Sequence, residues 1–323
     1  MSLQVSDLQT CFYVREGVVK AVDGISFEMK KGETMGIVGE SGCGKTVAAL
    51  SILRLVPDPG RIVGGKIVFE GEDLLEKTND EMRKIRGGRI AMIFQNPATS
   101  LNPVFTIGFQ IGEAIGLHQD LPKSQVPEKA VEMLKSVGIP EPRKRAGEYP
   151  HVFSGGMRQR AMIAMSLSCN PSLLIADEPT TALDVTIQAQ ILELMKELRR
   201  SFGASILLIT HDIGLIAELT EKVAVMYSGH IVENASTEAL FETPCHPYTQ
   251  GLIASIPKPD VDVERLVTIP GVVPDALNLP TGCRFHPRCP KAMGICKQND
   301  PRTTEVEAGH TVSCFLFGDG KES

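Results

Sequence analysis

A glycine-rich turn between a short apolar run and a helix-forming segment constrains the fold of this chain most strongly. The stretch Gly39-Glu-Ser-Gly-Cys-Gly-Lys45-Thr46 follows residues 35–38 and fits the P-loop pattern G-x-x-x-x-G-K-[ST]. Its glycines let the backbone bend so that successive N–H groups point inward at phosphate oxygens, and the helix N-terminus adds a favourable dipole. The predicted phosphate-binding residues are Gly39, Ser41, Gly42, Cys43, Gly44, Lys45 and Thr46.

Two acidic residues at the end of a later apolar run predict the metal-binding half of the same site. Asp177 and Glu178 follow residues 172–176, which have the length and composition of a buried strand. We expect the Lys45 ammonium to reach the β- and γ-phosphates, while the Thr46 hydroxyl and the Asp177 carboxylate coordinate Mg²⁺. Because neighbouring side chains of an extended chain point in opposite directions, Glu178 is predicted to face the γ-phosphate and polarise the attacking water.

Apolar strands alternate with amphipathic helices over most of the chain, which predicts an α/β fold with a mostly parallel sheet and helices on both sides. The helix that opens at Thr46 should reach about Leu55, and the helix that follows Asp184 should end at Gly203. Residues 205–210 should form another buried strand. Beyond about residue 240 the pattern fades, and proline, glycine and cysteine take over. We therefore divide the chain into a nucleotide-binding domain (1–240, with a helical subdomain at about 96–160) and a small C-terminal module (241–323).

Composition and charge argue against several classes of protein. The 323 residues carry a formal net charge of −6 without a basic run, whereas a nucleic-acid binder that neutralises phosphates should be more basic. The first ten residues have the character of neither a signal peptide nor a transit peptide, and no apolar run approaches the roughly 18–20 residues of a membrane helix. We therefore expect a cytosolic chain without a nucleic-acid partner, which reaches a membrane only through other proteins.

Further segments are similar to motifs of the ATP-binding subunits of ABC transporters. The stretch Phe153-Ser-Gly-Gly-Met-Arg-Gln-Arg160 resembles the LSGGQ signature, although phenylalanine and methionine replace two of its residues. Gln95 resembles the Q-loop glutamine, Thr181-Ala-Leu-Asp184 the D-loop, and His211 the switch histidine. These motifs stand in the order found in that family. The resemblance implies a P-loop NTPase with a RecA-like core, an antiparallel β subdomain and a helical signature subdomain.

The resemblance also implies a role for each motif. Gln95 would contact the metal and water, and His211 would hydrogen-bond the γ-phosphate. The predicted catalytic residues are Glu178, His211, Gln95 and Lys45. Tyr13 stands where the family stacks an aromatic ring on adenine, with Phe12 or a core position of Tyr13 as the alternatives.

The signature implies that the site needs a second ATPase subunit. Ser154, Gly155 and Gly156 would bind the ATP held by that other subunit, because serine hydroxyls and glycine amides at a helix start bind anions. A chain with one set of motifs must then pair, with two ATP molecules sandwiched between the subunits. The family often uses two different, homologous ATPase chains, and we expect that arrangement here.

Three stretches resemble the oligopeptide and dipeptide importer ATPases in particular. They are residues 96–108, Cys245-His-Pro-Tyr-Thr249 and Gly282-Cys-Arg-Phe-His-Pro-Arg-Cys-Pro290. The resemblance implies peptide uptake with two transmembrane permease subunits and an extracytoplasmic peptide-binding protein, at the cytoplasmic face of the cell membrane. Nickel complexes and some sugars are alternative cargoes within the family.

A segment just after Gln95 is expected to meet the permease. In the family, the region that corresponds to residues 97–112 receives a cytoplasmic helix of the membrane subunit. The apolar candidates for that docking surface are Leu101, Val104, Phe105 and Ile107. Packing of this loop on its own helical subdomain is the alternative.

Four of the eight cysteines cluster near the end of the chain and predict a cross-linking metal centre. Cys283, Cys289, Cys296 and Cys314 are separated by five, six and seventeen residues. A cytosolic setting argues against disulfides, and the C-x₂₋₄-C pairs usual for structural zinc are missing. Wide, irregular spacing suits a cubane in which each iron takes one thiolate, and the importer resemblance implies a [4Fe–4S] cluster. Zinc or bare thiols remain the alternatives.

Other residues of this module are candidates for charge compensation or ligation at the metal centre. Arg284, Arg288 and Lys291 could offset its negative charge. His286 and His310 could be ligands but are favoured as ordinary polar loop residues.

The function predicted from the sequence is ATP hydrolysis that energises peptide import. The alternative is a soluble ABC ATPase that acts on nucleic acid or ribosomes. Such proteins usually carry two motif sets in one chain or a long coiled coil, and neither feature is present. A degenerate regulatory subunit is disfavoured because Lys45, Asp177, Glu178 and His211 are all in place. An exporter half would need membrane helices of its own.

Overall fold

The computed structural model describes residues 2–181, 184–256 and 268–318. In chain order the strands are β1 (Leu3–Val14), β2 (Gly17–Met29), β3 (Thr34–Val38), β4 (Gly60–Phe69), β5 (Glu72–Asp73), β6 (Ile90–Ile93), β7 (Leu173–Asp177), β8 (Ser205–Thr210), β9 (Lys222–Tyr227), β10 (His230–Ser236), β11 (Thr303–Glu307) and β12 (His310–Ser313). The α-helices are α1 (Lys45–Ile52), α2 (Asn79–Ile85), α3 (Pro97–Ser100), α4 (Ile107–His118), α5 (Val126–Ser136), α6 (Pro142–Ala146), α7 (Gly155–Leu167), α8 (Val185–Phe202), α9 (Ile213–Leu219), α10 (Thr237–Glu242) and α11 (Pro247–Ala254).

A mixed sheet with the strand order β11-β12-β10-β9-β3-β8-β7-β6 forms the centre of the described structure. Strand β3 pairs in parallel with β8 and β9, and β7 pairs in parallel with β6 and β8. Val38 lies opposite Thr210, and Asp177 lies opposite Ile209. The carboxyl ends of β3, β7 and β8 therefore meet at one edge of the sheet, where an open parallel sheet binds its ligand. The mostly parallel α/β fold predicted from the sequence is confirmed.

Buried apolar side chains form two clusters on opposite faces of the parallel strands. On β8, Ile206 and Leu208 belong to one cluster, whereas Leu207 and Ile209 belong to the other. Alternate residues of a strand point to opposite faces, so both faces of this strand are covered. The continuous apolar run of β8 follows from that double burial.

A second, antiparallel sheet has the strand order β2-β1-β4-β5. Its residues Leu3, Val5 and Leu8 are buried with Ala48 and Ile52 of α1 in one apolar cluster. The sheet therefore covers α1, the helix that begins at the P-loop. This is the antiparallel β region implied by the family resemblance.

The helices follow local capping signals closely. Helix α8 begins after Asp184, whose carboxylate accepts the Ile187 amide, and ends at Gly203 with φ 64°, as predicted. Helix α1 is shorter than the sequence suggests: we expected it to reach about Leu55, but it ends at Ile52. The cause is Arg54, whose left-handed φ of 52° breaks the helix.

The C-terminal segment shares the core of the nucleotide-binding fold. Strand β12 pairs with β10, with Val312 opposite Glu233, so the β11–β12 hairpin extends the main sheet. Tyr248, Leu252 and Phe285 are buried in the same apolar cluster as the helical region. The apolar side chains of this segment therefore pack into the core of the nucleotide-binding fold. No helix in the described part of the chain is long and apolar enough to cross a membrane.

Candidate functional site

The P-loop follows β3 and turns directly into α1. Gly44 caps the helix with a left-handed φ of 103°. A Cβ atom on Gly44 would lie 2.1 Å from the Ala21 carbonyl oxygen, and one on Gly39 would lie 2.1 Å from the Met226 carbonyl oxygen. Both glycines are therefore required by close approach of neighbouring backbone, not only by the turn.

Lys45 is folded onto its own loop. Its ammonium is buried and donates hydrogen bonds to the carbonyl oxygens of Gly39 at 2.7 Å and Glu40 at 3.0 Å. These carbonyls compensate a charge that would otherwise be costly to bury. A nucleotide phosphate offers the same ammonium stronger, charged acceptors, so this arrangement is suited to exchange partners when a triphosphate enters.

Thr46 and Asp177 form the pair suited to a hard cation. The Thr46 hydroxyl donates to the Asp177 carboxylate at 3.2 Å, and Asp177 is only 2% exposed. Burial raises the pKa of Asp177 to about 6, the neighbouring charge of Glu178 acts in the same direction, and the Thr46 hydrogen bond opposes both. A hydroxyl and a carboxylate are oxygen ligands of the kind that Mg²⁺ prefers, so the residues present fit the metal.

Glu178 is the hub of the site. Its carboxylate accepts hydrogen bonds from Gln95 at 2.7 Å and Thr181 at 2.9 Å, and lies 3.0 Å from His211 Nδ1. Burial disfavours the charged carboxylate, but the hydrogen bonds from His211 and Thr181 outweigh it, so the pKa of Glu178 lies below its usual value. The sequence named Thr181 only as part of the D-loop. The sequence signal for this contact is a hydroxyl-bearing residue three positions after Glu178.

The backbone of Glu178 sets where this carboxylate stands. Its φ is 46°, in the left-handed region that non-glycine residues seldom adopt. Its N–H donates to the Ile209 carbonyl at 2.8 Å, which extends the pairing of β7 with β8 by one residue. Strain held in this way by surrounding structure is common at functional sites.

The signature turn is exposed and separate from the P-loop. Ser154 caps α7 by accepting the Met157 amide at 3.3 Å, and Gly155 follows on the surface. Gly156 lies close to α8, where an added Cβ would meet Ile187 at 2.9 Å. In the described part of the chain, no hydrogen bond joins this turn to the P-loop or the acidic pair. The turn lies at the start of a helix, where backbone amides can bind an anion.

One side chain of α7, the helix that begins at the signature turn, links that helix to the segment just after β7. Gln159 is buried, and its amide donates to the Pro179 carbonyl at 2.6 Å, one residue after Glu178. Asp184 caps α8 nearby, whereas Ala182 and Leu183 of the predicted D-loop lie outside the described residues.

Tyr13 is 49% exposed near the end of β1, with the Arg61 guanidinium 5.9 Å from its ring centroid. The alternative that Tyr13 is a core residue is therefore wrong. Its exposed ring remains available for stacking, whereas Phe12 is only partly exposed.

The four C-terminal cysteines are free thiols that lie near one another. Every pair among Cys283, Cys289, Cys296 and Cys314 interacts electrostatically. Burial raises the pKa of Cys283 to about 11, and the other three sulfur atoms add to the rise. Among the described residues, three potential ligand atoms lie within 4.8 Å of one another at a different group, formed by Glu233, Cys245 and His310.

The structure corrects three expectations about the C-terminal module. Arg284 and Arg288 do not simply offset charge at the cysteines, since their guanidinium groups pair with Asp23 and Glu40 of the nucleotide-binding fold. His310 is not an ordinary polar loop residue. It lies buried on β12, and its Nε2 is 2.8 Å from a carboxylate oxygen of Glu233. This contact joins the β11–β12 hairpin to β10, the strand that carries Glu233.

Two of the four residues predicted for a permease-docking surface are buried, and two are exposed. Leu101 is 2% exposed and Ile107 is fully buried, so both belong to the core of the helical region. Val104 and Phe105 are exposed, and Phe105 stacks on Phe109 with ring centroids 4.8 Å apart. Phe109, which is not among the sequence candidates, is 52% exposed and lies on α4.

Comparison with known proteins gives two family matches and close relatives. Residues 22–181 match the ABC transporter family, and residues 232–296 match the oligopeptide/dipeptide transporter C-terminal region. The oligopeptide transport ATP-binding protein AppD of Bacillus subtilis is 53% identical, covering 98% of this chain and 96% of the relative. The dipeptide transport ATP-binding protein DppD of Escherichia coli is 48% identical, covering 97% of this chain and 95% of the relative.

A solved structure supports the same assignment. The ATP-binding cassette MJ0796, determined as a dimer in a post-hydrolysis state bound to ADP and Pi, matches with a TM-score of 0.65 and 26% identity. The match covers 73% of this chain and 98% of that chain. Together with the hydrogen-bonded Gln95, Glu178 and His211 and the family matches above, it shows that this chain belongs to the ABC transporter family of ATP-hydrolysing, ATP-binding proteins, in the branch that carries the oligopeptide/dipeptide transporter C-terminal region.

Proposed function

We propose that this chain hydrolyses ATP to energise the import of di- or oligopeptides through partner membrane subunits. The observation that carries the proposal is the near full-length similarity to peptide transport ATP-binding proteins, including the C-terminal region specific to them. The alternative, action on nucleic acid or ribosomes, has no comparable support. A net charge of −6 also disfavours a surface built for phosphate backbones.

The described contacts support a division of labour around the nucleotide. The P-loop amides and Lys45 would hold the phosphates, and Thr46 with Asp177 would hold Mg²⁺, which when bound offsets charge on the phosphate oxygens. Glu178 would accept the proton of the attacking water, since its lowered pKa keeps it ionised at neutral pH. Gln95 and His211 reach the same carboxylate and would orient it and the γ-phosphate.

Adenine and the partner subunit would complete the site. The exposed ring of Tyr13 would stack on the base. Ser154, Gly155 and Gly156 would bind the γ-phosphate of ATP held by a second, homologous ATPase chain, because this turn opens α7 at the surface and, among the described residues, has no hydrogen bond to its own P-loop. The dimeric state of the MJ0796 cassette is consistent with such an arrangement.

The exposed apolar patch formed by Val104, Phe105 and Phe109 would receive a cytoplasmic helix of a permease subunit. It lies shortly after Gln95 in the chain, so movement of the helical region would be transmitted to Glu178. This docking would place the chain at the cytoplasmic face of the membrane. A peptide-binding protein on the other side would select the cargo.

Reconstitution in vesicles tests the proposal. We expect ATP hydrolysis by the chain, assembled with its sister ATPase, two permease subunits and binding protein, to rise several-fold when a peptide is supplied. Phe105→Asp should abolish the stimulation and retain basal hydrolysis, because a charge in the patch opposes apolar docking. Leu117→Asp is the control, because it alters an exposed apolar residue on α4 that lies outside the patch (73% exposed, against 44% for Phe105). Stimulation by RNA or ribosomes in place of peptide would contradict peptide import.

We also propose that Cys283, Cys289, Cys296 and Cys314 hold a [4Fe–4S] cluster. Four thiolates around one tetrahedral zinc ion would stand about 3.8 Å apart, given Zn–S bonds of about 2.3 Å. These cysteines are mutual neighbours, yet no three of their sulfur atoms, all in the described residues, lie within 4.8 Å of one another. That wider spacing favours a cluster in which each thiolate has its own iron.

Anaerobic purification tests the cluster. We expect brown protein with broad absorbance at about 400 nm. Chemical analysis should find four irons and four sulfides per chain. Cys289→Ser should lose that absorbance, whereas Cys169→Ser, which alters a partly buried thiol elsewhere, should keep it. Stoichiometric zinc without iron would contradict the assignment.

A further inference from the structure

The second residue of the P-loop, Glu40, is held by the C-terminal module at both its backbone and its side chain. The Glu40 N–H donates to the Tyr248 hydroxyl at 2.9 Å. The Arg288 guanidinium forks onto the Glu40 carboxylate, with N···O distances of 2.6 and 3.0 Å. These contacts join parts of the chain that lie 208 and 248 positions apart. Tyr248 and Arg288 lie in two of the stretches that resemble the importer ATPases, outside the motifs assigned to the nucleotide site.

Arg288 is also held by contacts that do not involve Glu40. Its side chain is 3% exposed, and its Nε donates to the Pro270 carbonyl at 2.9 Å. Its guanidinium carbon also lies 5.8 Å from the ring centroid of Tyr227 and 6.0 Å from that of Phe285. Stacking and hydrogen bonding pre-organise the planar fork, so the ion pair costs little additional ordering.

Glu40 passes this restraint to the lysine that binds phosphate. The Glu40 carbonyl oxygen accepts a hydrogen bond from Lys45 at 3.0 Å and another from the Cys43 amide at 3.3 Å. A shift of Glu40 would therefore move acceptors that hold the loop and its lysine. The paired guanidinium also neutralises a carboxylate that would otherwise repel the phosphates of an incoming nucleotide.

We propose that Arg288 and Tyr248 are positioning residues through which the C-terminal module sets the affinity of the P-loop for ATP. Arg288 directly precedes Cys289, so the ordering of the cysteine segment and the geometry of the P-loop are mechanically connected. The inference rests on the ATP site of the proposed function but not on peptide transport. It also does not require any metal centre to be loaded.

A double-mutant cycle on the full-length chain tests the route through Glu40. Binding of the non-hydrolysable ATP analogue AMP-PNP with Mg²⁺ is measured by calorimetry for wild type, Glu40→Gln, Arg288→Ala and the double variant. We expect Arg288→Ala to weaken binding about tenfold in the wild-type background and less than about twofold when Glu40 is already Gln. An equal loss in both backgrounds, or no loss, would overturn the proposal.

Two conservative variants separate positioning from folding. Tyr248→Phe keeps the buried ring but removes the acceptor of the Glu40 amide, and Arg288→Lys keeps the charge but not the fork. Both should raise the KM for ATP several-fold and leave kcat and the melting temperature nearly unchanged. Lys291→Ala removes an exposed cation of the same segment that bonds Gln250, and is the control. Unaltered KM in both conservative variants would reject the proposal, and none of these measurements depends on permease, peptide or iron.

Discussion

Replacing Glu178 with glutamine is expected to slow ATP hydrolysis by about 10²–10⁴-fold while ATP still binds. The amide keeps the shape of the side chain, so the contacts from Gln95, Thr181 and His211 remain largely available. It cannot accept a proton from water, and it removes the negative charge that we propose faces the γ-phosphate. ATP-bound dimers should therefore accumulate. Phosphate release measures the first effect, and size-exclusion chromatography with ATP measures the second.

The matched control for this prediction is Glu132→Gln on α5, an exposed carboxylate that pairs only with Lys129 among the described ion pairs. It should hydrolyse ATP at the wild-type rate. Hydrolysis by Glu178→Gln within about tenfold of wild type would remove Glu178 from the role of general base.

Asp177→Asn is expected to stabilise the nucleotide-free fold at pH 7.5 and, at the same time, to abolish Mg²⁺-dependent hydrolysis. The pKa of Asp177 is raised to about 6, chiefly by burial, so the ionised form is disfavoured in the folded chain. Asparagine removes the buried charge and still accepts the Thr46 hydrogen bond. The free energy of unfolding should rise by about 2–3 kcal/mol as an upper value. The same change deletes the carboxylate ligand of the metal.

The sign of the pH dependence distinguishes this effect from general stabilisation. The folded chain binds the Asp177 proton more tightly than the unfolded chain, so the burial cost grows as pH rises from about 4 to about 6 and is constant above. Denaturant unfolding should therefore show a gain for Asp177→Asn at pH 7.5 that shrinks towards pH 4. Asp80→Asn, at an exposed carboxylate on α2, should show no such trend. A gain that does not depend on pH would contradict the burial argument.

Much of the parallel core could be predicted because its signals are local. Residues 205–210 are apolar throughout and form β8 with the predicted bounds. Asp184 and Gly203 delimit α8 because a capping carboxylate and a left-handed glycine act within one turn of the helix. The end of α1 was misplaced, since it depends on the left-handed Arg54. Its guanidinium donates to the Leu74 and Lys77 carbonyls, and those contacts come from distant chain.

The residues of the candidate site also fall into those with a local sequence signal and those that depend on the fold. The P-loop, Gln95 and His211 follow apolar strands and Asp177 ends one, so their order and spacing indicate them in the sequence alone. The members of the exposed apolar patch could not be predicted one by one from the sequence. Exposure of Val104 and burial of Leu101 depend on how the loop lies against α7 and its neighbours, which a short apolar stretch does not encode.

The candidate chemical groups can be recognised without the fold, because each lies within a few adjacent residues: a phosphate-binding turn, a signature turn, and the carboxylates proposed as magnesium ligand and general base. The contacts of Glu178 with Gln95, Thr181 and His211 became visible only in the folded chain. The same is true of the ion pair that joins the C-terminal module to Glu40 across 248 positions of sequence. The physical reason is that phosphate binding requires local backbone geometry, whereas a buried ion pair needs only two compatible side chains that the folded path brings together.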